Sequence, residues 1–169
     1  MATAARGKHF DFSDPVIGYS TRFFYMKDAH PDGFDWKELA DFKPYKIGGV
    51  RGYWYEDAFV AAELNVHFVS TDIQIIQLLT KGRIDFTLMD ELAGWALIEE
   101  MYPGQKGSFA VAEKPESSAP LRLMVSRKYP DAGELTARFN KGLKTVMKNG
   151  TYDKILQHYG VPPKYAISE

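Results

Sequence analysis

Between Leu78 and Trp95 the chain reads as a helix end, a glycine stop, a short apolar strand and a carboxylate where the next helix begins. That order defines one unit of an α/β ligand-binding lobe. Gly82 can take the left-handed conformation that closes a helix, and Lys81 and Arg83 place positive charge near the helix's negative end. Upstream, Thr71-Asp72-Ile73-Gln74 has the form of a capping box, with the Thr71 hydroxyl taking an orphan amide and Gln74 reaching back. Ile73, Ile75, Ile76, Leu78 and Leu79 then form an apolar face at helical spacing. Ile84 to Met89 follows too closely for a long helix and carries β-favouring residues, so it reads as a strand buried on both faces. Asp90 falls at that strand's carboxyl end, the edge where open α/β sheets bind ligands.

The remaining sequence repeats this alternation. Lys46 to Val50 reads as a strand in which Gly48 and Gly49 admit close approach, followed by a helix over Tyr55 to Leu64 and a strand from Val66 to Val69. A helix carrying Leu92, Trp95, Ala96, Leu97 and Met101 ends at Pro103-Gly104, and Ser108 to Ala112 gives another strand. Before these, Phe10 to Tyr25 is extended with a turn at Ser13-Asp14-Pro15, and Asp35 to Leu39 forms a short helix. Beyond the connector Lys114 to Pro120 come a strand to Ser126 and an amphipathic helix from Glu134 to Lys148, with Leu135, Phe139, Leu143, Val146 and Met147 inward. Asn149-Gly150 ends that helix, and Thr151 caps another running to His158. Strand alternating with helix implies a mostly parallel sheet covered on both faces, a three-layer αβα lobe.

Composition narrows the function. With 169 residues, 45% of them hydrophobic, and a formal charge of -1, the chain describes a globular protein with a substantial core. Near-neutral charge with no basic run gives no case for nucleic acid or an anionic membrane. The absence of cysteine removes disulfides, thiolate nucleophiles and thiolate-bound zinc. His9, His30, His67 and His158 are scattered without metal-ligand spacing, and Gly48-Gly49-Val50-Arg51-Gly52 lacks the lysine-hydroxyl ending of a P-loop, so neither metal nor cofactor is implied. Asp11 and Asp14, beside Pro15, cap and solvate a turn rather than form an acid/base pair. The longest apolar runs are too short to span a bilayer, and the N-terminus lacks the apolar core of a secretory signal.

Three ordered motifs carry a resemblance. Gly82-Arg83-Ile84-Asp85 with Asp90, Phe10-Asp11-Phe12-Ser13-Asp14-Pro15 behind Thr3 and Arg6, and Asn149-Gly150-Thr151-Tyr152-Asp153-Lys154-Ile155 resemble extracellular solute-binding proteins of family 3. These are the type 2 periplasmic binding proteins of amino-acid ABC transporters. The resemblance implies a periplasmic protein that closes two lobes around a small, amino-acid-like solute and delivers it to a transporter permease. It also implies that the N-terminal part of lobe 1 is lacking, because Thr3 and Arg6 stand almost at the N-terminus, where the family has several elements ahead of them. The expected division is then 1–24 as partial lobe 1 and first hinge strand, 25–115 as a complete lobe 2, and 116–169 as the return hinge and C-terminal part of lobe 1. Missing strands would leave sheet edge uncovered, which favours a homodimer or strand exchange.

The resemblance also assigns roles residue by residue. Arg6 matches the arginine that clasps the ligand carboxylate, for which a planar guanidinium is suited. Asp90 matches the second-lobe aspartate that receives the ligand amine, and it can cap the following helix at the same time. Arg51-Gly52-Tyr53-Trp54 falls where the family carries glycine and small hydroxyl residues at a helix N-terminus, with free amides forming an anion site. Here Tyr53 and Trp54 replace the hydroxyls. Their faces suit a larger, flatter or cationic solute, or else Trp54 packs into its own lobe. The rival readings are a dehydratase-like enzyme on the same scaffold, the sensory domain of a signalling receptor, and a lobe retained as an interaction module.

Overall fold

In the computed structural model, which describes residues 4–167, the chain forms two compact units. One is built from both ends of the chain, up to Tyr19 and from Ser118 onward, and the other is the continuous segment Ser20–Ser117. The chain passes from the first unit to the second within strand β2 (Ile17–Met26) and returns within β7 (Ser117–Leu121).

The continuous unit is a sheet buried on both faces. Its strands are ordered β4 (Asn65–Val69), β3 (Lys46–Val50), β5 (Phe86–Asp90), β2 and β6 (Phe109–Val111), with β7 also pairing β2. Alternate residues of β2 point to opposite faces, so Phe23 and Tyr25 enter one apolar cluster while Phe24 enters the other. The first face holds Trp36, Phe42, Phe59 and Phe86, covered in part by helix α2 (Glu56–Ala61). The second holds Ile75, Ile76 and Leu79 of α3 (Asp72–Thr80) and Ile98 of α4 (Glu91–Met101). The three layers therefore follow from the period-2 apolar pattern of the central strands. Two glycines permit this packing: a Cβ on Gly48 would lie 2.4 Å from the Ile84 Cδ1, and one on Gly94 2.6 Å from the Phe24 Cζ.

Several expectations need correction. The sheet is mixed rather than mostly parallel, because β2 is reversed between β5 and β6 and pairs antiparallel with both. β3 pairs in parallel with both β4 and β5. The reversal follows from where β2 starts: Thr21 lies opposite Asp90, so the strand begins at the edge where β5 ends. Asp35 to Glu38 is not helical, since the Asp41 carboxylate accepts the N–H groups of Lys37 and Glu38 at 2.7 and 3.1 Å and confines the helical turn to Leu39–Phe42. On α3, Ile73 faces away from Ile75, Ile76 and Leu79 and is exposed. The Thr71 hydroxyl does cap Gln74, but the Gln74 side chain accepts from Ser70 instead of closing the box on Thr71.

The unit made from the two ends pairs β1 (Phe10–Phe12) antiparallel with β8 (Met124–Ser126), beside α1 (Ala4–Gly7), α5 (Ala132–Lys148) and α6 (Thr151–His158). Its buried residues include Val125, Ala132, Leu143, Tyr152 and Tyr165. Leu135 is exposed at the start of α5, against the expected inward face. Thr151 is the first helical residue of α6 rather than its cap: Gly150 takes the capping position at φ 74°, and the Asn149 carboxamide accepts the Thr151 N–H. No helix among the described residues is long and apolar enough to cross a membrane.

Candidate functional site

Strands β3, β4 and β5 run in parallel and end at Val50, Val69 and Asp90. One edge of the continuous unit therefore gathers the residues that follow them: Arg51 to Tyr55, Thr71 with Asp72, and Asp90 with Glu91. The start of the reversed β2 adds Ser20 and Thr21 to the same edge. This is the carboxyl-end crevice position of an open α/β sheet.

Asp90 is the most demanding residue there. It caps α4, its Oδ1 accepting the Ala93 N–H at 2.8 Å. Burial pushes its carboxyl above the usual aspartate range, against the opposing pull of the Ala93 and Leu92 amides, and the neighbouring Glu91 adds to the rise. A half-buried carboxylate of this kind calls for a counter-cation. Arg22 is close by in the strand pairing but is committed elsewhere: its Nε lies 2.5 Å from the Glu91 Oε2, and its Nη1 donates to the carbonyls of Ala112 and Glu113. The Nε–H is not aligned as a hydrogen bond on that carboxylate, so the contact is an ion pair by proximity. Among the described residues no cation is paired with Asp90. Nearby, the Thr21 hydroxyl donates to the Glu116 Oε2 at 2.7 Å and meets the Ser117 hydroxyl at 2.8 Å. Sequence reasoning passed over Arg22, Glu91, Thr21 and Glu116. Only the adjacency of Glu91 to Asp90 signals them, because the rest are assembled by strand pairing.

The loop after β3 departs from its expected chemistry. Gly52 turns it with φ 77°, but three of the amides expected to be free there are occupied. The Gly52 N–H donates to the Glu56 carboxylate at 2.5 Å, that of Tyr53 to the Val50 carbonyl at 3.3 Å, and that of Arg51 to the Val69 carbonyl at 3.0 Å. Helix α2 has only six residues, too short to add much dipole. Arg51 itself lies over the Phe68 ring at 6.0 Å. The aromatic residues face outward: Tyr53 is 36% exposed and Trp54 52%, which decides against packing of Trp54 in the lobe's core. Their rings stack at 5.6 Å with an interplanar angle of 22°, and Trp54 meets Tyr55 edge-on at 4.8 Å. The Tyr53 hydroxyl donates to the Asp72 Oδ2 at 2.7 Å, which holds the phenol above its ordinary pKa. Tyr55 is buried beneath, its oxygen accepting the Val50 N–H at 2.9 Å, and desolvation pushes its phenol up to about 12.

The other motif residues lie in the unit built from the chain ends. Arg6 sits on the single-turn α1 and is exposed, while Thr3 lies outside the described residues. Ser13 is buried and structural: its hydroxyl accepts the Leu123 N–H at 2.9 Å, and its carbonyl accepts from Arg122 at 2.6 Å. Asp11 pairs with Arg127 and Asp14 with Lys144. Tyr152 donates its hydroxyl to the Val16 carbonyl at 2.8 Å. Two of the three motifs thus tie strands and helices together within that unit.

The model of the bacterial extracellular solute-binding proteins, family 3, matches residues 1–162. The chain belongs to this family. Among curated proteins no sequence matches it. Among solved structures, an ancestral arginine-binding protein bound to arginine is 26% identical, with a TM-score of 0.68, covering 94% of this chain and 67% of that one. An arginine transport-system periplasmic binding protein from Legionella pneumophila is 24% identical with a TM-score of 0.67, over 94% and 69% of the two chains. The GluR0 ligand-binding core from Nostoc punctiforme, in complex with L-glutamate, is 16% identical with a TM-score of 0.68, over 95% and 70%. The last two likenesses establish the fold. The chain spans about two thirds of the length of these proteins.

As a family 3 solute-binding protein the chain has the type 2 three-layer α/β lobe, with Asp90 at its sheet edge. A separate hollow, lined by Met26, Asp28, Leu79, Thr80, Ile84 and Asp85, opens at the opposite end of β5. Of its two acids, Asp85 is engaged by the Lys46 N–H at 2.7 Å.

Proposed function

We propose that the protein is the substrate-binding component of an ABC transporter and takes an amino-acid-like solute at the carboxyl-end edge of its continuous unit. The single observation that carries this reading is Asp90: a half-buried carboxylate, raised by desolvation, held by helix amides and left without a counter-cation among the described residues. The α-ammonium of a solute supplies that cation. Arg6, by its motif, takes the solute's carboxylate, and Tyr53 with Trp54 lines the side-chain end. The Gly52 amide joins only where Glu56 releases it, and Arg51 only where it leaves Phe68. Binding rather than bond-making is the activity, in keeping with a family of solute-binding proteins. A periplasmic location and delivery to a membrane permease follow from the same reading.

Asp90→Asn tests it. Asparagine caps a helix about as well as aspartate, so the variant removes charge and leaves α4 intact. A screen of the proteinogenic amino acids by calorimetry should find one that binds, and the substitution should weaken it by at least about 1.5 kcal/mol, the lower range for a charged hydrogen bond. Unchanged affinity refutes the role of Asp90.

A further inference from the structure

The residues that follow β3 also define the chemical class of the solute's far end, given the reading that this sheet edge binds the solute. We propose that the side-chain end is a cation, a guanidinium or alkylated ammonium, seated on the Trp54 ring beside Tyr53 and Asp72. The tryptophans of this chain show the preference directly. Trp36 carries the Lys114 ammonium 4.1 Å from its ring centroid, and Trp95 carries Lys106 at 5.0 Å. Trp54, the third of three, has no cation over its ring among the described residues, although it is half exposed. Arg51, three residues before it, is turned onto Phe68.

The surroundings favour a cation and oppose an anion. Tyr53, stacked on Trp54, donates its hydroxyl to Asp72, which fixes that ring and places a carboxylate at its rim. Glu56 and Asp57 follow in the first turn of α2. The Gly52 N–H, one donor that would otherwise receive an anionic group, is filled by Glu56. An acidic side chain would therefore meet carboxylates where it needs amides. A delocalised cation meets a tryptophan face, the strongest of the aromatic cation acceptors, with acid at its edge.

L-arginine and L-citrulline separate charge from shape, being close to isosteric and sharing the α-amino-acid end. In calorimetry on the full chain, arginine should bind at least about fivefold more tightly than citrulline. Trp54→Leu should erase most of that ratio, Trp54→Phe should keep part of it, and Asp72→Asn should reduce it. Asp90→Asn should weaken both ligands alike. Equal affinity for the two, or a ratio unmoved by Trp54→Leu, overturns the assignment. Binding of glutamate or glutamine but not arginine also overturns it and leaves the solute-binding reading standing. Failure of every proteinogenic amino acid, and of choline and agmatine, to bind removes both.

Discussion

Asp90, which caps α4 at the end of β5, illustrates how a half-buried carboxylate lowers stability. Its folded-state pKa is raised above the ordinary 3.8, so the native state holds the proton more tightly than the unfolded chain. Its favourable contribution is complete below pH 3.8 and is lost as pH rises through the higher folded value, leaving a net cost at neutral pH. Asp90→Asn should therefore melt at or above the wild-type temperature at pH 7, with the advantage shrinking as pH falls toward 3.8. Matched melts across that range check the sign, and a variant less stable at pH 7 contradicts it. Tyr55 is the opposite case, because its phenol oxygen satisfies the buried Val50 N–H. Tyr55→Phe should cost about 1–3 kcal/mol in urea unfolding by orphaning that amide. At this scale Asp90 was legible, since a strand end followed by a cap position is a local pattern. The Arg22–Glu91 pair was not, because the antiparallel pairing of β2 with β5 assembles it from distant parts of the chain.

Elements were legible where periodicity and punctuation agreed, as in α3 with its Thr71 start and Gly82 stop. They failed where a side chain overrode propensity, as when Asp41 took the amides that an earlier helix start would have used. The same contrast between local propensity and packing separates two helix glycines. On α5, Gly142 faces open space, so Gly142→Ala should stabilise by roughly 0.5–1 kcal/mol through helix propensity alone. On α4, Gly94 lies against the fully buried Phe24 ring, and a Cβ there would sit 2.6 Å from it. Gly94→Ala gains the same propensity but forces that ring to move within a packed cluster, so it should destabilise by about 1–3 kcal/mol. Chemical denaturation of the two variants side by side decides the point: effects of the same sign would mean that the Phe24 contact does not limit packing.

The division of the molecule follows from how its cores are drawn from the chain. Every buried member of the two large apolar clusters lies between Phe23 and Ala112, inside the continuous unit. The other unit takes its buried residues from both termini, joining Ser13 near the start to Val125, Leu143 and Tyr165 beyond the second crossing. Alternation of strand and helix made the continuous unit readable, whereas the pairing of β1 with β8 joins segments that no local pattern connects. The asymmetry has an energetic consequence. A chain of residues 20–117 keeps both faces of its sheet covered, so it should fold alone, losing only the partners that β7 takes beyond Ser117. Its near-UV circular dichroism should retain a structured aromatic signal, since Trp36 packs edge-on against Phe23 at 5.4 Å within the unit. It should also melt cooperatively, as small single domains do. An excised segment with no near-UV signal and a gradual melt would mean that the two apolar clusters do not suffice, and that the chain folds only as a whole.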